Sequence, residues 1–544
     1  MELHGGNILG AEVAKSGKTT FRAVNPAMGQ ELDPVIHQAT EAESARALDL
    51  AEEAFAEYRR QPAEAIAKFL EAIAAGLEGL GQELIARAHA ETALPEPRLL
   101  SERGRTMGQL RMFAALIREG SWVDARIDRP DPDRKPVPKP DLRRMLVPIG
   151  PVVVFGASNF PLAFSICGGD TASALAAGNP VVTKAHPAHP GTSEMAARVI
   201  QEAARACKMP AGVFSMVQGT TPDVSLTLVR HRSTRAVGFT GSLQAGRALF
   251  DAAATRPAPI PVFSEMGSIN PVFVFPGALK ERGAELAQSL AKSVTVGVGQ
   301  FCTKPGLVVG LGGANLDEFG QKLGAGVSST PAGTMLHAGI AARYASGLGE
   351  RLHTAALQLV AATPPASPEK SSLEKSKTLA QAAVFATKAQ SFLENPELHE
   401  ELFGPSTLVV ACESGDQLKE IAQSLEGQLT VTLHATQQDL KEHAGVIETL
   451  REKAGRLVFG GVPTGVEVAP AMHHGGPYPA TTDSRFTSVG TAAILRFARP
   501  VCYQDFPHEY LPAELKDENP RGIWRLMDGE WTRAAVASVA TVKA

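Results

Sequence analysis

A cysteine among small residues is the first candidate for chemistry in this sequence. Cys302 lies in GQFCTKPG (299–306), beside glycines and Thr303, which are small and flexible. A thiolate there could attack an electrophilic carbonyl carbon and form a covalent adduct. The alternative is a buried structural cysteine, which is the commoner fate of a free thiol. Taken alone Cys302 favours the structural role, so its interpretation depends on partner residues elsewhere.

Two further residues have the chemistry that such a thiol needs. Asn159 follows an apolar run, and its side-chain amide could stabilise an oxyanion together with the Cys302 backbone amide. Glu265, in FSEMGSINP (263–271), follows another apolar run, where burial could raise its pKa toward that of a general base. The alternatives are a turn-capping Asn159 and a solvated Glu265.

Composition excludes several classes of partner. The chain has 544 residues, of which 44% are hydrophobic and 20% charged, as in a folded protein of several domains. Its formal charge of -4 provides no basic field for nucleic acid or an anionic membrane. The chain start lacks a signal-peptide pattern, and no apolar stretch is long enough to span a bilayer. We therefore expect a cytoplasmic protein with a small-molecule substrate.

The cysteines and histidines do not predict a metal site. The cysteines are odd in number, are scattered without a CxxC pair, and argue against a disulfide framework or a zinc ribbon: Cys167, Cys207, Cys302, Cys412 and Cys502. Neighbouring histidines occur at His186 and His189 and at His473 and His474, but no set of acids or thiols accompanies them in the sequence. We expect no metal.

The elements that must position these residues change in type along the chain. Apolar spacing predicts helices from Thr40 to about Gly120, beginning with a capping box between Thr40 and Glu43. RPDPDRKPVPKP (129–140) is too rich in proline for a helix or a central strand and predicts an extended arm. TPPASPEKSS (363–372) predicts a surface loop, and GTAAILRFA (490–498) is strand-like.

Strands and helices alternate after the arm. PVVVFG (151–156), PVVTK (180–184), VFSMVQG (213–219) and RAVGFTG (235–241) read as short strands separated by helices, which predicts a doubly wound parallel sheet. Such sheets bind ligands beyond the carboxyl ends of their strands. Asn159, Lys184, Gly241 and Ser242 follow those ends, and the alternation predicts that they meet at one edge.

Five short stretches in order resemble the aldehyde dehydrogenase superfamily. They are FGASNFPLAF (155–164), GFTGSLQAG (238–246), FSEMGSINP (263–271), GQFCTKPG (299–306) and HEELFGP (399–405). The resemblance covers about residues 20–500 and implies an α/β fold with a Rossmann-type doubly wound cofactor domain (1–125 and 146–263) and an α/β catalytic domain (264–480). It also implies a small β bridging and oligomerisation element (126–145 and 484–503), with residues 504–544 as a C-terminal tail, and a homodimer or homotetramer.

The resemblance assigns roles to single residues. Cys302 would be the nucleophile, Asn159 an oxyanion donor and Glu265 the base that hydrolyses the thioester with water. Relatives that transfer the acyl group to coenzyme A lack this glutamate. The cofactor would contact the strand ends and the later EELFGP motif through Lys184, Gly241, Ser242, Gly246, Glu401 and Phe403.

The resemblance also bears on which cofactor is used. NAD-preferring relatives often have a glutamate two residues after the lysine, where this chain has His186. A histidine tolerates the 2′-phosphate, so we expect NADP, with NAD as the alternative.

One branch of the superfamily is more similar than the rest. Residues 157–194 and 471–490 resemble α-ketoglutaric semialdehyde (2,5-dioxopentanoate) dehydrogenases and a bacterial NADP-linked fatty-aldehyde dehydrogenase. The implied reaction is 2,5-dioxopentanoate to 2-oxoglutarate. Phe160 would line the substrate tunnel, and Arg111 could bind a distal carboxylate, the alternative being an exposed helix arginine like Arg105 and Arg118. A fatty or aromatic aldehyde dehydrogenase and a non-catalytic relative remain as alternatives.

Overall fold

The computed structural model describes residues 1–364 and 377–536. Its strands are β1 Asn7–Leu9, β2 Glu12–Ala14, β3 Thr20–Asn25, β4 Gln30–His37, β5 Arg126–Asp128, β6 Leu142–Pro148, β7 Val152–Phe155, β8 Val181–Lys184, β9 Phe214–Val217, β10 Ala236–Thr240, β11 Val262–Glu265, β12 Val272–Val274, β13 Leu307–Leu311, β14 Gly333–Thr334, β15 Gln358–Ala362, β16 Leu379–Ala380, β17 Ala383–Lys388, β18 Ser406–Cys412, β19 Gln428–His434, β20 Ala454–Phe459, β21 Ala498–Gln504, β22 Arg525–Met527 and β23 Glu530–Thr532. Its helices are α1 Glu41–Tyr58, α2 Ala63–Gly79, α3 Gly81–Thr92, α4 Glu96–Glu119, α5 Gly169–Ala176, α6 Pro190–Ala206, α7 Pro222–Arg230, α8 Leu243–Ala254, α9 Pro276–Thr295, α10 Ala314–Ser328, α11 Ala338–His353, α12 Ala389–Glu394, α13 Gly415–Ser424, α14 Gln437–Glu442 and α15 Ala444–Lys453.

The first sheet has the predicted doubly wound form. Its order is β11-β10-β7-β8-β9-β1-β2, with β7 to β11 parallel and β1 antiparallel to β9. Successive residues of β7 serve opposite faces: Val154 joins the core under α2, α4 and α6, whereas Val153 joins the core under α1, α7 and α8. Burial on both faces explains why the strands read as continuous apolar runs.

The second sheet is formed by seven strands that follow β11 in the chain. Its order is β15-β17-β18-β13-β12-β19-β20, and all of its neighbours are parallel except the antiparallel pair β15 and β17. It has its own two cores, one on each face, built around Phe385 and Val431 on one side and Phe319 and Leu290 on the other. The predicted second α/β portion is thus present.

The third sheet corrects two predictions near the C-terminus. Its order is β21-β6-β5-β22-β23, so two strands form within the expected C-terminal tail: β22 pairs with β5, and β23 pairs with β22. The strand-like stretch 490–498 is mostly a 3₁₀ helix, Thr491–Phe497, and β21 starts at Ala498. Its apolar residues Ile494 and Phe497 are three apart and both buried, which suits one face of a 3₁₀ turn.

Three smaller predictions can be compared with the structure. The capping box is present, since Glu43 Oε2 accepts from Thr40 N at 2.8 Å and Thr40 Oγ1 accepts from Glu43 N at 3.1 Å. The proline-rich arm is an exposed connection between β5 and β6. The loop expected at 363–372 lies outside the described residues from position 365 onward. In the described part of the chain, each helix is too short or too polar for a bilayer-spanning segment.

Candidate active site

Four segments that are far apart in the sequence meet at Cys302. Glu265 is the last residue of β11, and Cys302 follows the turn Val296–Gly299. The segment after β20 runs antiparallel along β11, where Met266 N donates to Ala480 O at 2.8 Å and brings His474 over Glu265. Asn159 enters from the turn after β7. The loop that carries the candidate nucleophile Cys302 (residues 296–303, the nucleophile loop) requires a glycine, because Gly299 has φ 64° and a Cβ there would lie 2.3 Å from Gly404 C.

The thiol, a carboxylate and an imidazole are in direct contact. Cys302 Sγ lies 3.5 Å from His474 Nε2, which lies 2.9 Å from Glu265 Oε1. Ser488 Oγ donates to the other carboxylate oxygen, Oε2, at 2.6 Å. Glu265 and His474 are buried, with exposed fractions of 3% and 1%. The cluster therefore supplies a nucleophile together with two groups that can accept its proton.

The charges in this cluster act on one another. Burial, and next the negative charge of Glu265, raise the pKa of the Cys302 thiol well above its ordinary value, while Arg105 acts in the opposite direction. Burial alone would raise the pKa of Glu265, but His474, Ser488 and Cys302 outweigh it and hold that pKa below its ordinary value. The expectation of a raised pKa for Glu265 is therefore wrong, because its hydrogen-bond and charge partners outweigh burial. The resting thiol is protonated and Glu265 is ionised, which suits proton acceptance by the glutamate.

Asn159 lies beside the nucleophile loop. Its Nδ2 donates to Gln300 O at 3.1 Å, two residues before Cys302. Phe160 packs edge-on against Phe301, with ring centroids 5.5 Å apart, so the residues that follow Asn159 and precede Cys302 are also in contact. An amide donor therefore lies beside the loop that carries Cys302, with its Nδ2 hydrogen-bonded to Gln300 O.

Arg111 lies away from this cluster. It is on the outer side of α4, half exposed, and its Nη2 contacts Glu78 Oε2 at 3.1 Å. The prediction that it binds a substrate carboxylate is wrong, because its guanidinium is paired at the surface. Arg105 on the same helix faces inward instead, with its guanidinium carbon 5.2 Å from the Phe164 ring centroid.

Arg105 has an unusual environment for a cation. Within the described residues its Nε and Nη2 are buried and have no hydrogen-bond partner. Burial lowers the pKa of its guanidinium, and the nearby Cys302, Glu102 and Glu265 oppose that effect. A buried guanidinium with free donors beside a nucleophile is suited to bind an anionic group of a substrate.

The predicted cofactor residues line one edge of the first sheet. β7, β8 and β10 end close together, at Phe155, Lys184 and Thr240. Burial lowers the pKa of Lys184 to about 8. Ser242 is the N-cap of α8, where its Oγ accepts from Ala245 N at 3.3 Å, and Gly241 N donates to Glu265 O at 3.0 Å. A cation and a helix N-terminus at this edge suit an anionic dinucleotide.

Gly246 lets α8 pack closely against the residue that follows Glu265. A Cβ at this position would lie 2.7 Å from Met266 Sδ, next to Glu265. Any larger residue at position 246 would force Met266 to move. This close packing sets the distance between α8 and Glu265.

Glu401 and Phe403 lie on the loop before β18. Glu401 packs closely against Gly267, because a Cβ added to that glycine would lie 2.8 Å from Glu401 Oε2. The Ser268 backbone amide donates a hydrogen bond to the Glu401 carboxylate. Burial raises the pKa of Glu401 to about 7, with Lys304 and Ser268 opposing it. Lys304 is buried and binds the same loop, because its Nζ donates to Leu402 O and Ser406 O at 3.1 and 3.0 Å. Phe403 packs at the edge of the apolar cluster under α11.

His186 borders a cavity of about 520 Å³. Its ring stacks on His189 with centroids 5.4 Å apart, and burial lowers its pKa well below the ordinary value. His186 is therefore neutral near pH 7. Two cations line the same cavity: Lys377, and Arg22, which is ion-paired with Asp33 and Glu31.

Sequence reasoning missed His474, Ser488 and Arg105. His474 is not predicted because no acid or thiol set is near it in the sequence. In the structure it contacts Cys302, which lies 172 residues away along the chain. The ligand atoms of Glu265, Cys302 and His474 all lie within 4.8 Å of one another, so that reason does not hold. The signal that was available is the unusual pair of histidines followed by glycines in AMHHGGPYPATTDSRFTSVG (471–490).

Comparison with known proteins assigns the family. The model of the aldehyde dehydrogenase family matches residues 13–477, and the chain belongs to this family, whose members oxidise aldehydes with NAD(P). The chain is 49% identical to α-ketoglutaric semialdehyde dehydrogenase 2 of Azospirillum brasilense over 97% of this chain and 100% of that protein. It is 43% identical to α-ketoglutaric semialdehyde dehydrogenase of Acinetobacter baylyi, over 98% and 99%. Betaine aldehyde dehydrogenase of Staphylococcus aureus in complex with NAD⁺ has the same fold, with a TM-score of 0.79, 17% identity, and coverage of 92% of this chain and 95% of that one.

Proposed function

We propose that this protein oxidises 2,5-dioxopentanoate to 2-oxoglutarate with NAD(P), with water as the final acyl acceptor. The observation that carries the chemistry is the contact of Cys302 Sγ, His474 Nε2 and Glu265 Oε1 at 3.5 and 2.9 Å. The substrate follows from the two relatives that match nearly the whole chain and are named α-ketoglutaric semialdehyde dehydrogenases.

Acylation begins at the thiol. The thiol proton passes to the His474 and Glu265 pair as Sγ attacks the aldehyde carbon, because these two groups are the nearest proton acceptors. Asn159 Nδ2 and the Cys302 backbone amide then donate to the oxyanion. The chemistry that a bound nicotinamide supplies is hydride acceptance, which leaves a thioester on Cys302.

Deacylation needs a base near the thioester. Glu265 is ionised and lies against the thiol cluster, so it can take a proton from an attacking water molecule. Ser488 holds one carboxylate oxygen and leaves Oε1 directed toward His474. The overall reaction converts aldehyde, water and NAD(P)⁺ into carboxylate, NAD(P)H and two protons.

The dinucleotide would be held along the edge formed by β7, β8 and β10. Lys184 would bind the adenine ribose, Ser242 and the N-terminus of α8 a phosphate, and Glu401 the nicotinamide ribose. We favour NADP over NAD because His186 carries no negative charge and shares its cavity with Arg22 and Lys377.

The distal carboxylate of the substrate would bind Arg105. Its free Nε and Nη2 and its position over Phe164 support this assignment, and Phe164 lies 6.4 Å from the His474 ring. Phe160 would line the same tunnel, since Arg105 also lies 6.0 Å from its ring centroid. A homodimer or homotetramer remains part of the proposal.

A panel of aldehydes tests the substrate assignment. We expect kcat/KM to be highest for 2,5-dioxopentanoate, and higher with NADP than with NAD. Hexanal and benzaldehyde represent the fatty and aromatic alternatives. A clearly higher kcat/KM for hexanal would contradict the substrate, and no turnover of any aldehyde would favour a non-catalytic relative.

A further inference from the structure

The three groups at the thiol come close to the ligand spacing of a tetrahedral metal site, since their ligand atoms all lie within 4.8 Å of one another. Zinc binds thiolate at about 2.3 Å, imidazole at about 2.0–2.1 Å and carboxylate at about 2.0–2.2 Å, so tetrahedral ligand atoms lie roughly 3.4–3.6 Å apart. Cys302 Sγ and His474 Nε2 are 3.5 Å apart, and Nε2 and Glu265 Oε1 are 2.9 Å apart. Small shifts of these side chains would complete three corners of a tetrahedron.

The surroundings are also those of a metal site. Glu265 and His474 are more than nine-tenths buried, and within the described residues Glu265 Oε1 and His474 Nδ1 have no partner that meets hydrogen-bond geometry. Ser488 Oγ orients the carboxylate from behind, as outer hydrogen bonds do for metal ligands. A thiolate, an imidazole and a carboxylate together select Zn²⁺ over Mg²⁺ or Ca²⁺, which prefer oxygen ligands.

We propose that Cys302, His474 and Glu265 form a reversible, inhibitory Zn²⁺ site. The metal takes the place of the thiol proton, and binding releases that proton to solvent. The fourth position would face the aldehyde. Zinc thus engages the thiol, the base and the imidazole at once, and the protein with bound zinc cannot form a thiohemiacetal.

Cobalt provides a test that needs no turnover. Co²⁺ added to the protein without substrate should bind at one equivalent, with a thiolate-to-cobalt charge-transfer band and the intense visible bands of tetrahedral cobalt. Zn²⁺ should displace it. Cys302→Ala should lose the charge-transfer band, and His474→Ala should weaken Zn²⁺ binding by at least about tenfold. The exposed Cys502 offers a matched control, and Cys502→Ala should keep the full spectrum.

Two results would overturn this proposal. One is a charge-transfer band that persists in Cys302→Ala or disappears in Cys502→Ala. The other concerns alkylation of the wild-type protein by iodoacetamide. We expect Zn²⁺ to protect Cys302 from alkylation and Mg²⁺ not to protect it. Equal alkylation with and without Zn²⁺ would exclude metal binding at the thiol even if a variant failed to fold.

A separate set of contacts concerns the loop that carries Asn159. Glu102 on α4 accepts from two backbone amides of this loop through Oε1, from Leu162 N at 2.8 Å and Ala163 N at 3.0 Å. Arg98, one turn earlier on α4, donates from Nη2 to Asn159 O at 2.6 Å. Arg98 and Glu102, which share one face of α4, therefore bind this loop before and after Phe160.

Arg98 also contacts the nucleophile loop. Its guanidinium carbon lies 5.0 Å from the Phe160 ring centroid and 4.7 Å from that of Phe301, which precedes Cys302. We infer that Arg98 and Glu102 are positioning residues, which fix the distance from Asn159 Nδ2 to Cys302 without touching substrate. This inference rests on the proposed oxyanion role of Asn159.

A double-mutant cycle tests this inference. Asn159→Ala should lower kcat by roughly 10²–10³-fold. Glu102→Met should lower kcat in the wild-type background by about tenfold or more, with the KM for NAD(P) unchanged, but should have little further effect on top of Asn159→Ala. Glu102→Gln, which keeps an oxygen acceptor, should restore most of the activity. Arg98→Met provides the same comparison if Glu102→Met does not fold.

The two failures can be told apart. If Asn159→Ala keeps normal kcat, the proposed oxyanion role is wrong. The other case is that Asn159→Ala lowers kcat, but the double variant loses the full product of the two single reductions in kcat. Glu102 then does not act through Asn159, and the positioning role is wrong.

Discussion

The thiol end and the nucleotide end of the site are assembled in different ways. At the thiol end, side chains from distant segments touch one another, as in the 2.9 Å contact of His474 with Glu265 and the 2.6 Å hydrogen bond from Ser488. At the nucleotide end, Lys184 and Ser242 follow the ends of neighbouring strands, and close backbone packing at Gly246 sets the geometry. The thiol end thus depends on tertiary structure, whereas the nucleotide end follows largely from local sequence.

Single substitutions should therefore have larger effects at the thiol end. Each side chain there has a chemical task and several partners, whereas the nucleotide end spreads its contacts over many residues.

Loss of the nucleophile should have the largest effect. Cys302→Ala should lower kcat/KM for aldehyde oxidation by at least about 10³-fold, because no other group can form the thioester. Steady-state formation of NAD(P)H measures this, and Cys167→Ala, at a buried cysteine outside the cluster, serves as a control. Unchanged oxidation by Cys302→Ala would remove the basis for the difference between the two ends.

Loss of Arg105 should have a smaller effect than loss of the nucleophile, and only on acidic substrates. Arg105→Met should lower kcat/KM for 2,5-dioxopentanoate by roughly 30-fold or more, since a buried anion would lose its partner. The value for hexanal should stay within about threefold. Arg111→Met on the same helix is the matched control and should stay within about twofold, because Arg111 is paired with Glu78 at the surface. Equal losses for both substrates would argue against carboxylate recognition by Arg105.

Glu401 should give the nucleotide end a pH dependence. Its pKa is raised to about 7, so the carboxylate that would accept the ribose hydroxyls is ionised above that pH and protonated below it. The KM for NAD(P) should rise by up to about tenfold as the pH falls from 8 to 6. Glu401→Gln should have a higher KM that varies little over this range. The same slope in the variant would place the titration elsewhere.

The smallest effect is expected at His186. His186→Glu should lower the ratio of kcat/KM for NADP to that for NAD by about fivefold, or about 1 kcal/mol, because a carboxylate repels the 2′-phosphate. Lys377→Met should shift the ratio in the same direction, since Lys377 lines the same cavity. A ratio that is unchanged in His186→Glu would show that this cavity does not receive the phosphate.

The sequence predicts the parts of the molecule that depend on local patterns. Alternating apolar runs predict the first sheet, and Thr40 and Glu43 predict the start of α1. The prediction of a strand at residues 490–498 is wrong because apolar spacing in a short stretch does not distinguish a strand from a 3₁₀ helix buried against α5.

The remaining errors concern distance in the sequence and the faces of helices. Arg98, Glu102 and Arg105 share one face of α4, while Arg111, six residues beyond Arg105, lies on another. Which face meets the site depends on how α4 packs against α2 and α5, which no local pattern specifies. His474 could not be paired with Glu265 for the same reason, since β11 and the segment after β20 meet only in the folded chain.

One measurement tests the central claim that Cys302 carries the acyl group and Glu265 releases it. Glu265→Gln keeps the size of the side chain and an oxygen for Ser488, but it removes the base. When this variant is mixed rapidly with 2,5-dioxopentanoate and NADP, it should form about one NADPH per site and then nearly stop. Mass spectrometry of the Cys302 peptide should then show the acyl group on Cys302. Steady turnover near the wild-type rate, or a burst of NADPH without an adduct on Cys302, would contradict the account.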